Sequence, residues 1–243
     1  MAGYRLRLRF SKDGKAKYIS HLDLMATLRR SLIRAGVKLK YSEGFNPHPY
    51  MSVALPLPVG CSSGCELVDI GTEHSLAPDG LAEIISAAAP DGIEVLEAYE
   101  PLRKFSGIAW VGIGGTLHYD SKPPHAVKRL SERFSQEHIV ISKKTKSGIS
   151  EIDIAPLIKN VYYSDAETDS GAGADSDADT DTDTDTCAGA GAVTVTALLS
   201  AQNPSITPGN MLSALTGDYE ELKPDFAAFG RTEVYDADFR IFR

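Results

Sequence analysis

Residue types that can carry out acid–base chemistry or bind a ligand are concentrated in two short segments, SHLDL at 20–24 and SEGFNPHP at 42–49. His21 and His48 are the candidate catalytic residues, because an imidazole can give or take a proton near neutral pH. The two segments would form one polar pocket if the helix start and the loop lie at the same end of a β-sheet. The other residues of this pocket would be Ser20, Asp23, Glu43, Gly44, Phe45, Asn46 and Glu66.

A purely structural interpretation explains the same residues. Ser20 is a favourable helix N-cap, and Asp23 suits the positive end of a helix dipole. Asn46 and the neighbouring prolines would then only build a turn, and Phe45 would be a core residue. The histidines would be surface or capping groups. The sequence leaves both interpretations open.

Basic residues surround these segments and are interleaved with aromatic ones. Residues 1–60 contain eleven basic and three acidic side chains, a local net charge of +8. Cations that meet phosphates and aromatic rings that stack on bases are typical of single-stranded RNA platforms. The residues predicted to contact RNA are Arg5, Arg7, Arg9, Lys17, Arg29, Arg30, Arg34, Lys38 and Lys40. A solvated face of a strand and a helix is the alternative.

The acidic residues of the chain are concentrated elsewhere. The 243 residues carry a net charge of −8, but nine of the 33 acids lie in the low-complexity segment 164–192, which has no base. The remaining chain has 25 basic against 24 acidic groups, so the whole-chain charge does not argue against nucleic acid. The segment has no aromatic or branched aliphatic side chain, so we expect a disordered loop rather than a calcium site. It could also shield the basic region from an anionic partner.

The sequence predicts no metal, cofactor or membrane segment. Cys61 and Cys65 have the C-x3-C spacing of a radical SAM cluster site, but the third position is Val68 and not cysteine. Cys187 falls in the acidic segment. We therefore expect no iron–sulfur cluster. No apolar run approaches the ~20 residues that span a bilayer, and MAGYRLRLRF lacks a signal-peptide core, which favours a cytoplasmic protein.

Hydrophobic periodicity predicts an α+β fold. YRLRLRF alternates as a strand does, and Leu24, Leu28 and Leu32 form the apolar stripe of a helix that Gly36 would end. Further strands, the first of them over VKLKYS at 37–42, and a second helix complete a βαββαβ order over residues 1–105, and a weaker copy follows over 106–243. We therefore predict tandem ferredoxin-like units with antiparallel sheets, the second of them interrupted by the acidic segment.

The segment 17–70, from KYISHLDL through SEGFNPHP to CELVDI, resembles the N-terminal signature of the radical SAM-linked protein family, the DUF2344 domain. Weaker similarity continues through EIDIAPLI, PSITPGNMLSAL and FGRTEVY. Members occur alone or fused after a cobalamin-binding radical SAM domain, often encoded beside an E/G-type ribonuclease. The resemblance implies a stand-alone member that works with a radical SAM enzyme in RNA metabolism. It implies no catalytic residues.

Three functions remain compatible with the sequence. The favoured one is an RNA-binding accessory module that presents tRNA or rRNA to a radical SAM enzyme. The second is a metal-independent endoribonuclease, with His21 and His48 as acid and base and with Lys17 or Arg29 steadying the charged intermediate. The third is a protein-interaction subunit that makes no contact with RNA. The chain is also compatible with a distant, fold-level analogy to CRISPR repeat-processing endoribonucleases.

Overall fold

The first strand and first helix follow directly from local sequence. The computed structural model describes residues 4–145, 148–166 and 191–243. Strand β1 (Tyr4–Lys12) buries Leu6, Leu8 and Phe10 on one face. Helix α1 (His21–Arg34) begins at its N-cap Ser20, as predicted, and ends before Gly36, whose φ of 78° favours a residue without a side chain.

The remaining elements give a mixed α+β fold with a mostly antiparallel sheet, which confirms the predicted fold class at this level. The strands are β2 (Met51–Val53), β3 (Ser62–Thr72), β4 (Ile93–Tyr99), β5 (Trp110–Tyr119), β6 (Val140–Thr145), β7 (Gly148–Asp153), β8 (Ile158–Asp165), β9 (Gly191–Ser200) and β10 (Phe226–Tyr235). The further helices are α2 (Leu81–Ala88), α3 (Ala126–Phe134) and α4 (Pro208–Leu212). Short 3-10 helices occupy Gly14–Tyr18, Phe105–Gly107, Ala155–Leu157 and Gly217–Leu222.

The chain divides into two units. The first comprises Met1–Ile113, Leu199–Ser205 and Phe229–Arg243. The second comprises Gly114–Leu198 and Ile206–Ala228.

In the first unit, four strands lie in the order β4-β1-β3-β2, and each neighbouring pair is antiparallel. The helices α1 and α2 pack on one face of this sheet, which we call the helix face. Its core is formed by leucines of α1 together with Leu6, Leu8, Phe10, Val68 and Ile70. A second, smaller core on the opposite face contains Cys65, Leu67, Ile108, Val234 and Phe242. We call this opposite side the second face.

A close backbone approach joins β10 to the sheet of the first unit. Gly230 and Arg231 of β10 pair in parallel with Ser62 and Ser63 of β3. A Cβ atom at Gly230 would lie 2.6 Å from the Ser62 hydroxyl oxygen, so a larger residue here would require the Ser62 side chain to move. The pairing brings the side chain of Arg231 into the interior beside β3.

The second unit has its own arrangement. Its strands neighbour one another in the order β5-β9-β8, and β6 pairs with β7 as a separate antiparallel ribbon. Tyr119 of β5 is buried, and its hydroxyl donates a hydrogen bond of 2.9 Å to the carbonyl of Leu222. Burial raises the pKa of Tyr119 to about 12, so this hydroxyl stays a donor.

The structure differs from the sequence expectations in three places. The predicted strand at 37–42 is reduced to isolated bridges, Leu39 with Thr72 and Tyr41 with Pro49, because proline has no N–H to extend a ladder. The strands β7 and β8 had no counterpart in the predicted pattern. Of the predicted disordered segment 164–192, residues 164–165 and 191–192 belong to β8 and β9, and 167–190 with Cys187 lie outside the described residues.

The described residues contain neither a membrane-spanning helix nor a cluster of metal-binding side chains. None of their helices is both long enough and apolar enough to cross a bilayer. In the same part of the chain, no group of three or more His, Cys, Asp and Glu side chains could hold a metal ion.

Candidate functional site: a basic and aromatic groove

Strand alternation separates the residues of β1 onto two faces. Leu6, Leu8 and Phe10 lie on the helix face, so Arg5, Arg7 and Arg9 lie on the second face. The sequence predicts that all three arginines contact RNA, with a solvated face as the alternative. Their actual surroundings differ from one residue to the next.

Arg7 is fully buried, so the prediction that it faces solvent and contacts RNA is wrong. It lies opposite Asp69 in the pairing of β1 with β3. Its Nε donates to Asp69 Oδ1 at 2.6 Å, and its Nη2 donates to Asp69 Oδ2 at 2.9 Å. The guanidinium also lies 4.3 Å from the centroid of the Phe105 ring. Phe105 covers the arginine from a distant part of the chain, which alternation in β1 cannot reveal.

Arg9 is largely buried as well, with 17% of its side chain exposed. Its Nη2 lies 3.0 Å from Glu233 Oε2, and its Nη1 lies 3.5 Å from Glu97 Oε1. Glu97 and Glu233 come from β4 and β10, which lie far along the sequence. These carboxylates balance the charge of Arg9, which makes it less available to a phosphate than the exposed Arg5.

Arg5, in contrast, is exposed and lines two adjoining cavities of about 460 and 660 Å³. Both cavities are lined by Tyr4, Arg5, Asp69 and Lys104. Their sizes fall in the range of small-molecule sites. We define the basic–aromatic groove as Tyr4, Arg5, Lys40, Tyr50, Asp69, Gly71, Lys104 and Phe105, all of which belong to the first unit.

Gly71 sets the geometry of this groove. It pairs with Arg5 across the sheet, its N–H donates 2.7 Å to the Tyr50 carbonyl, and its own carbonyl accepts from the Lys40 N–H at 2.9 Å. A Cβ atom at Gly71 would lie only 2.9 Å from Cβ of Tyr50. The missing side chain therefore leaves space in which Tyr50 lies against the sheet. The Lys40 ammonium is 6.0 Å from the Tyr50 ring centroid.

The groove combines two kinds of interaction. Arg5, Lys40 and Lys104 bring three positive charges, which attract phosphate groups. Tyr4 and Tyr50 are 55% and 51% exposed, so their rings are available for stacking. The arrangement can bind an anionic ligand that also carries flat, unpaired rings.

The histidine pocket predicted from the sequence is only partly assembled. Ser20 and Asp23 act as a helix cap, because the Ser20 hydroxyl donates to Asp23 Oδ2 at 2.7 Å and accepts from the Asp23 N–H at 3.2 Å. His21 is the exposed first residue of α1. In the described part of the chain, no side-chain hydrogen bond joins His21 to His48.

The loop that carries His48 is a rigid, solvent-exposed turn. The His48 N–H donates to the Ser42 hydroxyl at 2.9 Å, and the Ser42 N–H donates to the His48 carbonyl at 2.8 Å. The residues Glu43, Gly44, Phe45, Asn46 and His48 are all exposed. The ring of Phe45 has no cover at all, so it is not the core residue that the structural interpretation expected.

Glu66 lies in a different environment from the two histidines. It is 1% exposed, and its Oε1 accepts a hydrogen bond of 2.6 Å from Nη1 of Arg231. Lys12 is equally buried, and its ammonium donates to the carbonyls of Lys17 and Ile19 at 3.3 Å each. Burial lowers the pKa of Lys12, and the negative charge of Glu66 partly offsets this shift. Glu66 therefore belongs to a buried ionic cluster and not to the exposed loop.

The other basic residues predicted from the sequence lie apart from the groove. Arg29, Arg30 and Arg34 are exposed on α1, which packs on the helix face. Lys38 is exposed after the helix, and the Lys17 ammonium lies 5.3 Å from the Tyr18 ring centroid. The predicted single platform is therefore divided between two sides of the sheet, with Arg5 and Lys40 in the groove.

Of the eight groove residues, only Arg5 and Lys40 belong to the predicted RNA-contacting set. Lys104 and Phe105 follow β4 in a segment that shows no hydrophobic periodicity. Asp69 lies in β3, a strand whose sequence pattern predicts a buried position in the core. Only the pairing of Asp69 with Arg7 across two strands could have indicated its position.

The two cysteines within the described residues offer no reactive thiolate. Cys61 and Cys65 are free, and burial raises the pKa of Cys65 to about 12. Burial also raises the pKa of Cys61, against the opposing charges of Arg231 and Lys12. Both thiols therefore remain protonated near neutral pH.

Comparison with known proteins places this site in a sequence family. No curated protein matches the chain. The model of one family, described as an uncharacterized protein conserved in bacteria (DUF2344), matches residues 5–186, which include every groove residue except Tyr4. The chain therefore belongs to the DUF2344 family.

Proposed function

We propose that the first unit binds single-stranded RNA in the basic–aromatic groove. The observation that carries this proposal is the grouping of three cationic and three aromatic side chains around the cavity of about 460 Å³. Cations that follow a phosphate backbone and rings that stack on bases are the two components of single-strand binding. Stacking on Tyr4 or Tyr50 requires unpaired bases, so duplex RNA is excluded as the preferred ligand.

We infer that this unit is a ferredoxin-like domain over residues 1–105. The strand order β4-β1-β3-β2, with α1 and α2 on one face, supports this inference. We further infer that residues 106–243 form a second, more divergent domain of the same type. A divergent second copy is consistent with the separate ribbon β6–β7, which a βαββαβ unit does not contain.

We propose that the RNA-bound protein assists a radical SAM enzyme in tRNA or rRNA modification or processing in the cytoplasm. The support for this partner is the resemblance of the segment 17–70 to the radical SAM-linked family. An accessory module needs a binding surface but no catalytic residues of its own. We do not extend the proposal to cleavage by His21 and His48, since no observed contact favours it.

Fluorescence anisotropy with a labelled single-stranded RNA and a matched hairpin, both at low salt, tests the binding proposal. We expect the single strand to bind more tightly. Stacking is worth about 1–3 kcal/mol per base, so Tyr50→Ala should weaken binding by roughly 5- to 150-fold. The control is Tyr162→Ala, which removes a ring that is 69% exposed in the second unit. Absence of binding at low salt, or an equal loss in both variants, would contradict the proposal.

A further inference from the structure

One groove residue has the wrong charge for binding phosphate. Asp69 lines both cavities among the cations Arg5, Lys40 and Lys104. A carboxylate in a groove built only for phosphate would weaken binding by repulsion. Its pairing with the buried Arg7 accounts for its charge, and its exposed side is available to a different part of the ligand.

The contact with Arg7 fixes both the charge and the orientation of Asp69. The two hydrogen bonds of 2.6 and 2.9 Å form a bidentate pair, so the buried guanidinium neutralises the carboxylate from beneath. Arg7 also donates 2.8 Å to the Arg103 carbonyl, which ties it to the segment that carries Lys104. A phosphate near Arg5 or Lys104 therefore meets little net repulsion from Asp69.

The Asp69 carboxylate can still accept hydrogen bonds from a ligand in the groove. An ionised carboxylate has about four lone-pair sites, and the bidentate contact with Arg7 uses one on each oxygen. The Asp69 side chain is 23% exposed, whereas that of Arg7 is fully buried. The groove side of the pair thus presents an acceptor and no donor.

We propose that Asp69 accepts a hydrogen bond from the exocyclic amino group of a base held in the groove. This inference rests on the proposed RNA binding and names its substrate class: single strands with adenine, cytosine or guanine at this position, with uracil disfavoured. Uracil has no amino group, and its only N–H lies between two carbonyl oxygens that would face the carboxylate. Two acceptors in contact leave both without a partner, which is costly when water is excluded.

Cytosine and uracil form the sharpest matched pair of ligands. Their rings are the same size, and they differ in the amino or carbonyl group at one ring position and in the proton on the adjacent nitrogen. Stacking on Tyr4 or Tyr50 and contacts to phosphate are therefore nearly equal for the two. A hydrogen bond to a charged group supports a preference of about tenfold or more for cytosine.

The test measures the affinity of the whole chain for hexacytidylate and hexauridylate by anisotropy at pH 7.5. We expect hexacytidylate to bind about tenfold more tightly. Asp69→Asn should abolish or invert the preference, because an amide can donate to the uracil carbonyl. Asp236→Asn is the matched control, since Asp236 pairs with Arg103 at 2.7 Å and does not line either cavity. The ratio of the two affinities should not change in this control.

Equal affinities in the wild-type protein would overturn the inference and leave the proposed RNA binding intact. Binding of neither oligonucleotide at low salt would overturn both. A preference that survives in a folded Asp69→Asn variant, as judged by circular dichroism, would show that another residue reads the base. If Asp69→Asn does not fold, the wild-type comparison still decides whether the groove prefers an amino group.

Discussion

The salt dependence of RNA binding should report which basic residues touch phosphate. Lys104→Gln removes one charge from the basic–aromatic groove and keeps a polar side chain of similar length. Lys104 is exposed next to the cavities, so its loss should not disturb packing. When the ammonium neutralises a phosphate, it displaces a counterion that was condensed on the RNA. The number of counterions displaced sets the slope of log affinity against log salt concentration.

The number of cations in the groove determines how steeply the affinity for RNA should fall with salt. If Arg5, Lys40 and Lys104 each meet one phosphate, the slope of log affinity against log salt is about −2, from roughly −0.7 per contact. Affinity would then fall about 20-fold between 50 and 200 mM salt. Lys104→Gln should reduce the slope to about −1.4, and the same change in salt should then weaken binding only about 7-fold.

The assay is anisotropy at four salt concentrations between these limits, with Arg29→Gln as the control. Arg29 is an exposed arginine of α1, on the helix face, so its loss changes the net charge equally but leaves the groove intact. We expect an unchanged slope for Arg29→Gln. The contradicting result is a slope that becomes less steep for Arg29→Gln and stays unchanged for Lys104→Gln. It would show that RNA binds to α1 and not in the basic–aromatic groove.

Three further predictions concern the buried ion pair, the second unit and the acidic segment. Arg231→Leu should reduce the free energy of unfolding by about 3–5 kcal/mol in urea titrations, because it leaves Glu66 buried without its 2.6 Å partner. The double variant with Glu66→Leu should be more stable than Arg231→Leu, and strictly additive losses would contradict this reasoning. The pKa of Asp153 is lowered to about 2, first by its contact with His138, so stability present above pH 4 should be lost as the pH falls through 2. Asp153→Ala should lose less stability over that interval in thermal melts; an identical loss would exclude this contribution. Deleting residues 168–188 removes seven aspartates and should strengthen RNA binding if the segment competes, whereas unchanged affinity would exclude competition.

The local elements of the first unit could be predicted from the sequence. The N-cap Ser20, the leucine stripe of α1 and the stop at Gly36 are all encoded within 17 residues, and the structure confirms each of them. The strands β7 and β8 were missed, because most side chains of β8 are exposed and produce no clear alternation. A helix or strand can be predicted when its pattern arises within its own sequence. It cannot be predicted when it depends on a partner that is distant along the chain.

The candidate site shows the same limit. Alternation placed Arg5, Arg7 and Arg9 on one face but could not say what covers that face. Asp69 lies 62 positions from Arg7 along the chain, and Glu233 lies 224 positions from Arg9. These long-range pairs decide which arginines remain available, so composition alone overestimated the basic surface.

Ultraviolet cross-linking of the whole chain to a mixed-sequence single-stranded RNA, with peptides identified by mass spectrometry, tests the central claim most directly. If the basic–aromatic groove holds the RNA, the adducts should map to peptides that contain Tyr4, Tyr50 or Phe105, and excess unlabelled single strand should abolish them. Adducts confined to α1 or to the second unit would contradict the claim that RNA lies in this groove.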